Sequence, residues 1–200
     1  LYKYGCNALY IACNENQLDI VTTLLLRDDI DLNAKSTKEE LTPLLAAVKR
    51  GYLTIAKVLL SDERCDPTIT SVDKTNILIY ACQSHNIELL SLILLSENGR
   101  SLINSRNDNN DTPLHYACGS DNEQMIKELL EHIDLSKVDI NAANNQGETP
   151  LHLVCKNNNQ IIMKILLQKA AMYDNISFDF NLKNNRFLTP MHIVCSQQSR

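Results

Sequence analysis

The sequence lacks the features that mark several classes of protein. None of its apolar runs approaches the ~18 residues of a membrane span, so no transmembrane helix is predicted. The first residues, Leu1 to Cys6, do not resemble a signal peptide. The net charge is −5, with neither a basic cluster nor a Lys/Arg-rich amphipathic face. We therefore expect no membrane insertion and no nucleic-acid binding through phosphate neutralisation.

Motifs for catalysis are also missing. The chain contains no Gly-x-Ser-x-Gly, no Gly-rich phosphate loop, no His-Glu-x-x-His and no Cys-x-x-Cys. Two adjacent acidic pairs, Asp28-Asp29 and Glu39-Glu40, lie in sequence-variable connections and are interpreted as solvated loop charges. We predict no catalytic residue, no cofactor and no metal site, and hence a protein that is not an enzyme.

What the chain does contain is a recurring segment, which reads Thr-Pro-Leu-His-Tyr-Ala-Cys at residues 112–118. Close copies follow it and weaker copies precede it, so that six repeat boxes start at residues 7, 42, 76, 112, 149 and 189. Their spacing of 34 to 40 residues fits a unit of about 33 residues with small insertions. Six copies predict a stacked array rather than a closed globule, which places function on a surface.

Each repeat box begins as a helix should. Threonine can cap a helix, and proline suits the first helical position because that amide needs no partner. A second stretch follows, such as residues 18–25 or 53–60, with apolar residues at spacings of three and four. This spacing is typical of an amphipathic helix. Each repeat is therefore predicted to run helix, tight turn, helix, polar loop.

The Thr-Pro-Leu-His box, together with the Asp-x-Asn-Ala segments at residues 31–34 and 139–142, resembles the ankyrin repeat family over essentially the whole chain. The resemblance implies an all-α fold, an ankyrin-repeat solenoid of stacked helix-turn-helix units with β-turn or hairpin loops. It implies about five full repeats and a partial C-terminal one. We expect a single array over residues 1–200 that is part of a longer protein, because neither end resembles a capping repeat.

The turn inside each repeat needs a positive φ, which the family usually obtains from glycine. Most of the residues here are Asn, Asp or His, the non-glycine residues enriched at positive φ. The turn residues are Asn16, Gly51, His85, Asp121, Asn158 and Gln198. The third repeat departs from the pattern, since it lacks the Pro and His of the box, and Asn76 is predicted to cap its first helix instead.

Five of the seven cysteines occupy one equivalent site in different repeats. Equivalent sites in adjacent repeats should lie ~8–10 Å apart, too far for a disulfide, which needs Cα atoms within ~7 Å, or for a shared zinc ion. We expect buried, reduced thiols and a location in the cytoplasm or nucleus. The five are Cys13, Cys82, Cys118, Cys155 and Cys195, whereas Cys6 and Cys65 lie in loops and are predicted to react with thiol reagents.

Three histidines follow Thr-Pro in the last three boxes, namely His115, His152 and His192. The resemblance implies that their rings hold the loop of one repeat against the next by hydrogen bonds. A metal-binding or pH-sensing ladder is the alternative. The distance between repeats argues against the metal.

The resemblance places partner binding at the loop tips before the boxes and at the exposed pair late in the first helices. We predict a protein or peptide partner and a monomeric scaffold. The candidate residues are Tyr4, Lys38, Glu39, Leu41, Lys49, Arg50, Asp73, Asp108, Asn109, Asp111, Asn145, Gln146, Lys156, Arg186 and Leu188. Phe187, which replaces a loop glycine, is expected either to contact the partner or to fold back as packing.

Other possibilities remain open. The alternative function is that of a regulatory or targeting domain of a larger enzyme or sensor. Asn33 and Asn141, in the Asp-x-Asn-Ala segments, match the family's sites of asparaginyl hydroxylation. The long connection at residues 169–180 predicts an extended helix with a packed loop, and Ile161 places an apolar residue on an outer helix.

Overall fold

The computed structural model describes residues 7–174 and 176–197, and these residues form helices and turns without a strand. Short 3₁₀ helices occupy Leu102–Asn104 and Leu135–Lys137. The α-helices are α1 (Ala8–Asn14), α2 (Leu18–Leu25), α3 (Pro43–Lys49), α4 (Leu53–Leu60), α5 (Ile77–Gln83), α6 (Ile87–Leu95), α7 (Glu97–Ser101), α8 (Pro113–Gly119), α9 (Glu123–His132), α10 (Pro150–Lys156), α11 (Gln160–Ala170) and α12 (Pro190–Gln197).

The chain divides into two compact units, Leu1–Leu102 and Ile103–Arg200, called the N-terminal and C-terminal units below. In the N-terminal unit the first helices α1, α3 and α5 pack in a row, and α2, α4 and α6 form a second row. The C-terminal unit repeats this order, with α8, α10 and α12 in one row and α9 against α11. The stacked helix pairs confirm the predicted all-α solenoid, whereas a single array over residues 1–200 stays a prediction.

The helix starts are fixed by side-chain caps. Asn7, Thr42 and Asn76 each accept a hydrogen bond from the backbone N–H three residues later, at 2.8, 3.2 and 2.9 Å. A cap of this kind typically contributes about 1 kcal/mol. Asn76 therefore caps the third repeat as predicted. The second helices α6, α9 and α11 also begin at asparagine caps, which the sequence analysis did not single out: Asn86, Asn122 and Asn159.

The turn between the two helices of a repeat has the predicted left-handed backbone. Its residues have φ between 54° and 76° in every described repeat: Asn16, Gly51, His85, Asp121 and Asn158. Gln198 lies outside the described residues. The Asn, Asp and His substitutions therefore satisfy the same backbone requirement that glycine satisfies elsewhere in such repeats.

The core of the N-terminal unit is centred on α3 and α5. Every side chain of Pro43–Val48 and of residues 77–82 is buried. Helix α3 packs between α1 and α5, and α5 packs against α3 and α6. Leu44 and Leu78 are at most 1% exposed. Truncating such a leucine to alanine typically costs about 2–5 kcal/mol.

A guanidinium from a later repeat caps the end of α2. Arg64 donates from Nη1 to the carbonyl of Arg27 at 2.8 Å and from Nη2 to that of Leu25 at 2.9 Å. The last carbonyls of a helix have no partner within it, so such donors satisfy them. Asp62 holds the guanidinium in place through hydrogen bonds of 2.9 and 2.6 Å.

Two connections differ from a minimal repeat. Residues Glu97–Ser101 form α7, a short helix that the sequence analysis did not predict. Gly99 permits its close approach to α6, because a Cβ there would lie 2.0 Å from the carbonyl oxygen of Ile93. After the fifth repeat, α11 extends to Ala170 and Phe178 is buried, as expected for an extended helix followed by a packed loop. Ile161 is 53% exposed on α11, as predicted.

Candidate partner-binding surface

The loop tips are tight turns with a second set of left-handed residues, two positions before each of the second to sixth boxes. In the C-terminal unit a buried or half-buried asparagine organises the base of each tip. Asn144 Oδ1 accepts the backbone N–H groups of Gln146 and Glu148 at 3.0 and 2.9 Å. The equivalent bonds form at Asn107 and Asn184. The left-handed residues are Glu40, Lys74, Asn110, Gly147 and Phe187.

Backbone hydrogen bonds join consecutive tips within each unit. In the N-terminal unit the N–H of Val72 donates to the carbonyl of Glu39 at 3.0 Å. In the C-terminal unit the N–H of Asn145 donates to Asn109, and that of Asn185 donates to Gln146, both at 2.9 Å. The tips therefore present their side chains from a fixed backbone, so little conformational entropy remains to be lost on binding.

The box histidines hold loops together, as the family resemblance implies. His115 Nδ1 accepts the N–H of Thr112 at 3.1 Å, and its Nε2 lies 3.0 Å from the carbonyl oxygen of Glu148. His152 makes the same contact to the carbonyl of Leu188 at 3.1 Å. Because Nδ1 accepts, we assign the proton to Nε2, which donates to the next loop. Burial lowers the pKa of His115, which keeps the ring neutral.

A cluster of charged and aromatic side chains surrounds Lys49 in the N-terminal unit. Lys49 Nζ lies 2.9 Å from Glu39 Oε2 and 5.5 Å from the centre of the Tyr80 ring. Arg50, the next residue, is exposed and has no ion pair with a residue that the structure describes. The interactions of Lys49 fix its position, whereas the guanidinium of Arg50 is available to a partner. Lys38 is also exposed at this loop tip.

Asp73 contributes an ionised carboxylate to the next tip. Burial alone would raise the pKa of Asp73, but hydrogen bonds from Ser71 and from Thr75 outweigh it, so the pKa is lowered. The carboxylate therefore stays charged at neutral pH. It also holds the turn on which it lies.

In the C-terminal unit the predicted tip residues largely contact each other. Asn145 Nδ2 donates to the carbonyl of Asp108 at 2.8 Å, and Asn144 Nδ2 donates to Asp111 Oδ1 at 2.9 Å. Lys156 Nζ lies 3.4 Å from Glu148 Oε1. The exposed candidates at these two tips are Asp108, Asn109, Asn145 and Gln146.

Leu41 is the candidate that the structure contradicts. Its side chain is only 2% exposed, and its N–H donates to Ser36 Oγ at 3.1 Å, so it packs beneath the loop and offers no side chain to a partner. The family resemblance implied that the position directly before a box contacts a partner. Leu188, at the same position before the sixth box, is partly exposed. Tyr4 lies outside the described residues.

Of the two alternatives predicted for the Phe187 ring, the structure shows the exposed one. Its side chain is 80% exposed, and its φ is 60°. The ring therefore does not fold back as packing. Arg186 beside it is also exposed.

The two predicted hydroxylation sites are structural links between loops. Asn33 Nδ2 donates to the carbonyl of Arg64 at 2.8 Å, and its Oδ1 accepts the N–H of Asp66 at 2.9 Å. Asn141 makes the same pair of bonds to residues 177 and 179. Asn104, which the sequence analysis missed because no Asp-x-Asn-Ala segment surrounds it, bridges to Lys137 and Asp139 in the same way. Hydroxylation stays a prediction, which an intact mass without added oxygen would contradict.

The cysteines are mostly buried. Burial raises the pKa of Cys13 and Cys82 to about 12 and that of Cys155 to about 11. The prediction that Cys65 is reactive is not supported, since partial burial raises its pKa to about 12 as well. Cys195, expected to be buried, is exposed instead. Cys6 lies outside the described residues.

No three His, Cys, Asp or Glu side chains at residues 7–174 and 176–197 are grouped so that they could hold a metal ion. In the same part of the chain, every helix is too short or too polar to cross a bilayer.

Sequence comparison gives the family. A sequence model described as ankyrin repeats (3 copies) matches residues 1–71, 44–141, 78–179 and 133–200. The chain belongs to the ankyrin repeat family. These repeats indicate protein–protein interaction, without specifying a partner.

Individual relatives share part of the chain. It is 33% identical over 118 residues to SMC5-SMC6 complex localization factor protein 1 of Bos taurus, a match covering 58% of this chain and 11% of that protein. It is 27% identical over 160 residues to palmitoyltransferase AKR1 of Lachancea kluyveri, covering 63% of this chain and 21% of that protein. The chain therefore matches only a tenth to a fifth of these relatives' length.

A solved structure shares the fold over nearly the whole chain. It is described as Bd0816 predatory endopeptidase from Bdellovibrio bacteriovorus in complex with immunity protein Bd3460. The similarity has a TM-score of 0.78 at 25% identity and covers 98% of this chain and 94% of that one.

Proposed function

We propose that this ankyrin-repeat chain is a non-enzymatic recognition module that binds a protein or peptide through its loop tips and the ends of its first helices. The observation that carries the proposal is the set of backbone hydrogen bonds between consecutive tips, as at Val72 and Glu39. A fixed backbone that carries exposed, variable side chains suits recognition. The solved relative described as a complex with an immunity protein supports the same class of function.

The second candidate is a regulatory or targeting domain of a larger enzyme. The relative that is a palmitoyltransferase favours it, because that protein extends far beyond the matched region. The two candidates share one binding surface and differ only in what lies beyond it. The gene sequence around this segment would distinguish them, since a catalytic domain in the same reading frame would support the second.

Arg50 provides the sharpest test of the surface. Arg50→Glu should weaken binding of a partner identified by affinity capture and mass spectrometry by about tenfold or more, because exposed arginines often carry binding energy. Lys57→Glu is the matched control, since Lys57 is exposed on α4, in the other row of helices, and the change of charge is the same. Titration calorimetry would measure both affinities. Equal affinities of Arg50→Glu and wild type would contradict this site.

We also propose that the chain is a monomeric scaffold located in the cytoplasm or nucleus. Its buried thiols with raised pKa support a reducing compartment. Sedimentation velocity over a range of concentrations would check the oligomeric state. A sedimentation coefficient that rises with concentration would contradict a monomer.

A further inference from the structure

The outer face of α11 carries apolar side chains where the second helices of other repeats are polar. Ile161 and Met172 are 53% and 75% exposed, and Ile165, between them, is half-buried. These three residues are called the α11 stripe below. The residues at the position of Ile161 in the four preceding repeats are all polar: Asp19, Thr54, Glu88 and Gln124. A single exposed apolar residue is ordinary, whereas a contiguous apolar stripe marks a contact surface.

The α11 stripe is not the face that a following repeat would cover. At about 100° per residue, its three members lie within about 40° of one another around the helix axis. Leu167 points to the opposite side, at the position that Leu130 holds in α9. Leu130 is only 2% exposed because it lies where α9 meets α11. A following second helix would cover Leu167 in the same way and would leave the stripe exposed.

The stripe borders a groove between α9 and α11, two helices that pack against each other in the C-terminal unit. The groove has a volume of about 410 Å³, and Leu130, Ile165 and Met172 give it an apolar lining. Its far end is built by the extension of α11 to Ala170 and by the turn after it, where the N–H of Met172 donates to the carbonyl of Lys169 at 3.2 Å. Packed helices hold this lining in place, so little conformational entropy is lost when a partner binds.

The charges around the groove indicate what it binds. Lys127 of α9 and Lys169 of α11 line it from its two sides, Lys164 is exposed on α11, and Glu131 is the acid among the lining residues. None of these four side chains has an ion pair with a residue that the structure describes. An acidic partner would neutralise the excess of lysines, whereas a basic one would be repelled. A second copy of the chain, in a symmetric contact, would bring the same lysines against each other.

The length and shape of the surface fit a helix. The segment from Ile161 to Met172 covers about three helical turns, or about 17 Å at 1.5 Å per residue. A partner helix with apolar residues at spacings of three and four would present a stripe of the same length. Because Leu130 lies at the bottom of a groove, it is reached by inserted side chains and not by a flat surface such as a membrane.

We propose that the α11 stripe and the groove beside it dock an acidic amphipathic helix of a partner protein. The apolar side chains of that helix contact the stripe and enter the groove over Leu130, and its carboxylates pair with Lys127 and Lys169. The site lies on the second helices and does not use the loop tips, so it goes beyond the function proposed above.

Two double variants test the site without changing the core. The glutamine pair, Ile161→Gln with Met172→Gln, removes exposed apolar groups, and glutamine is the residue that α9 has at the position of Ile161. The glutamate pair, Lys127→Glu with Lys169→Glu, reverses the charge. The matched control is Leu95→Gln, since Leu95 is a 65% exposed apolar residue on α6, in the other unit. The glutamine pair should melt at the temperature of wild type, and a clearly lower melting temperature would overturn the proposal, because the stripe would then be packing within the chain.

Binding is tested with a phage library of helical peptides of about 18 residues, selected on the wild-type chain and depleted on the glutamine pair. The enriched peptides should carry Asp or Glu beside apolar residues at spacings of three and four. A synthetic peptide of that sequence should bind each double variant about tenfold more weakly than wild type and Leu95→Gln equally well, as measured by fluorescence anisotropy. Basic peptides, no enrichment, wild-type affinity of either double variant, or an equal loss for Leu95→Gln would each overturn the proposal.

Two other occupants are tested directly. Vesicles of about 30% phosphatidylserine in phosphatidylcholine should not bring the chain down on sedimentation. Co-sedimentation that the glutamine pair weakens would indicate a membrane surface and would overturn the proposal. Self-association in sedimentation velocity that the glutamine pair abolishes would indicate a second copy and would overturn it as well.

Arg50→Glu separates this site from the loop tips. The selected peptide should bind Arg50→Glu as tightly as wild type, and a loss of affinity would place the peptide at the tips and overturn the groove. If Arg50→Glu instead binds the captured partner as tightly as wild type while the peptide still discriminates against both double variants, the function proposed for the tips is wrong and the groove stands.

Discussion

At the scale of single residues, the same left-handed backbone conformation recurs along the chain with different side chains. Ten described residues with positive φ occupy two equivalent positions, one in the turn between helices and one in the loop tip. Only two of them, Gly51 and Gly147, are glycine. The other eight residues adopt a positive φ at a cost in conformational free energy, which is small for asparagine and larger for a bulky residue. At some of these positions only the positive φ limits which residue can be substituted, and at others neighbouring atoms leave no room for a side chain.

The two glycines should therefore respond differently to alanine. Gly147→Ala should lower the free energy of unfolding by about 3 kcal/mol, because the methyl group meets Asn185 at 2.7 to 2.9 Å in addition to the cost of a positive φ. Gly51→Ala is the control, since its nearest neighbour would be at 3.8 Å and only the backbone cost of about 1 kcal/mol remains. Urea unfolding measures both. A larger loss at Gly51 would contradict the steric argument.

At the scale of helices and loops, the two units use different side chains for the same task. In the C-terminal unit imidazoles join the boxes to the following loops, as at His115 and His152. The corresponding positions of the first three boxes hold Tyr10, Leu45 and Ile79, which cannot make this bond through a ring nitrogen. The N-terminal unit keeps the asparagine bridge, at Asn33, and the backbone bonds between tips, both of which the C-terminal unit has in addition to its imidazoles.

Acid should therefore weaken the C-terminal unit through His115. Burial lowers the pKa of His115 below the unfolded value of about 6.5, so the unfolded chain binds more protons. The stability that the neutral ring contributes is fully present above about pH 6.5 and is lost as the pH falls through the folded pKa. Urea midpoints measured between about pH 7.5 and pH 5 should fall for wild type.

His115→Gln isolates this effect, because glutamine does not titrate. The variant should be less stable at neutral pH but should lose less stability on acidification than wild type. Identical slopes of stability against pH in the two proteins would contradict a role for His115. The remaining histidines are common to both proteins and cancel in the comparison.

The sequence predicted those elements whose cause is local. Caps such as Thr42 and turn residues such as His85 follow from neighbouring residues and from the register of the repeat. The role of the box histidines was implied by the family resemblance. Asn104 and the burial of Leu41 were missed, because they depend on what an adjacent repeat places opposite them. The exposure of Phe187 was left undecided for the same reason. Distances between loops are not encoded in the spacing of a motif.

At the scale of the whole molecule, each of the two units distributes its buried surface along a row of stacked helices instead of gathering it in one centre. Buried thiols mark that distribution, since Cys13 and Cys82 lie on first helices of the N-terminal unit and Cys118 and Cys155 on first helices of the C-terminal unit. Their accessibility therefore reports where the stack is intact. Cys195 is the exposed exception on α12.

Thiol labelling of the native protein, followed by peptide mass mapping, should modify Cys195 first among the described cysteines. Cys82 and Cys118 should be labelled only in denaturant, because burial both shields the sulfur and, for Cys82, raises the pKa of its thiol to about 12. Cys65 should react slowly although it lies in a loop. Rapid labelling of Cys82 in buffer would contradict the stacked core.

Because of the position of Arg64, a substitution there would destabilise a part of the chain that is distant in sequence. Its planar fork serves two carbonyls and a carboxylate at once, which a lysine ammonium, acting as a single point charge, cannot reproduce. A change of Arg64 to lysine would keep the charge and would look harmless in an alignment. Its first effect would be fraying of α2, which ends 39 positions earlier in the chain.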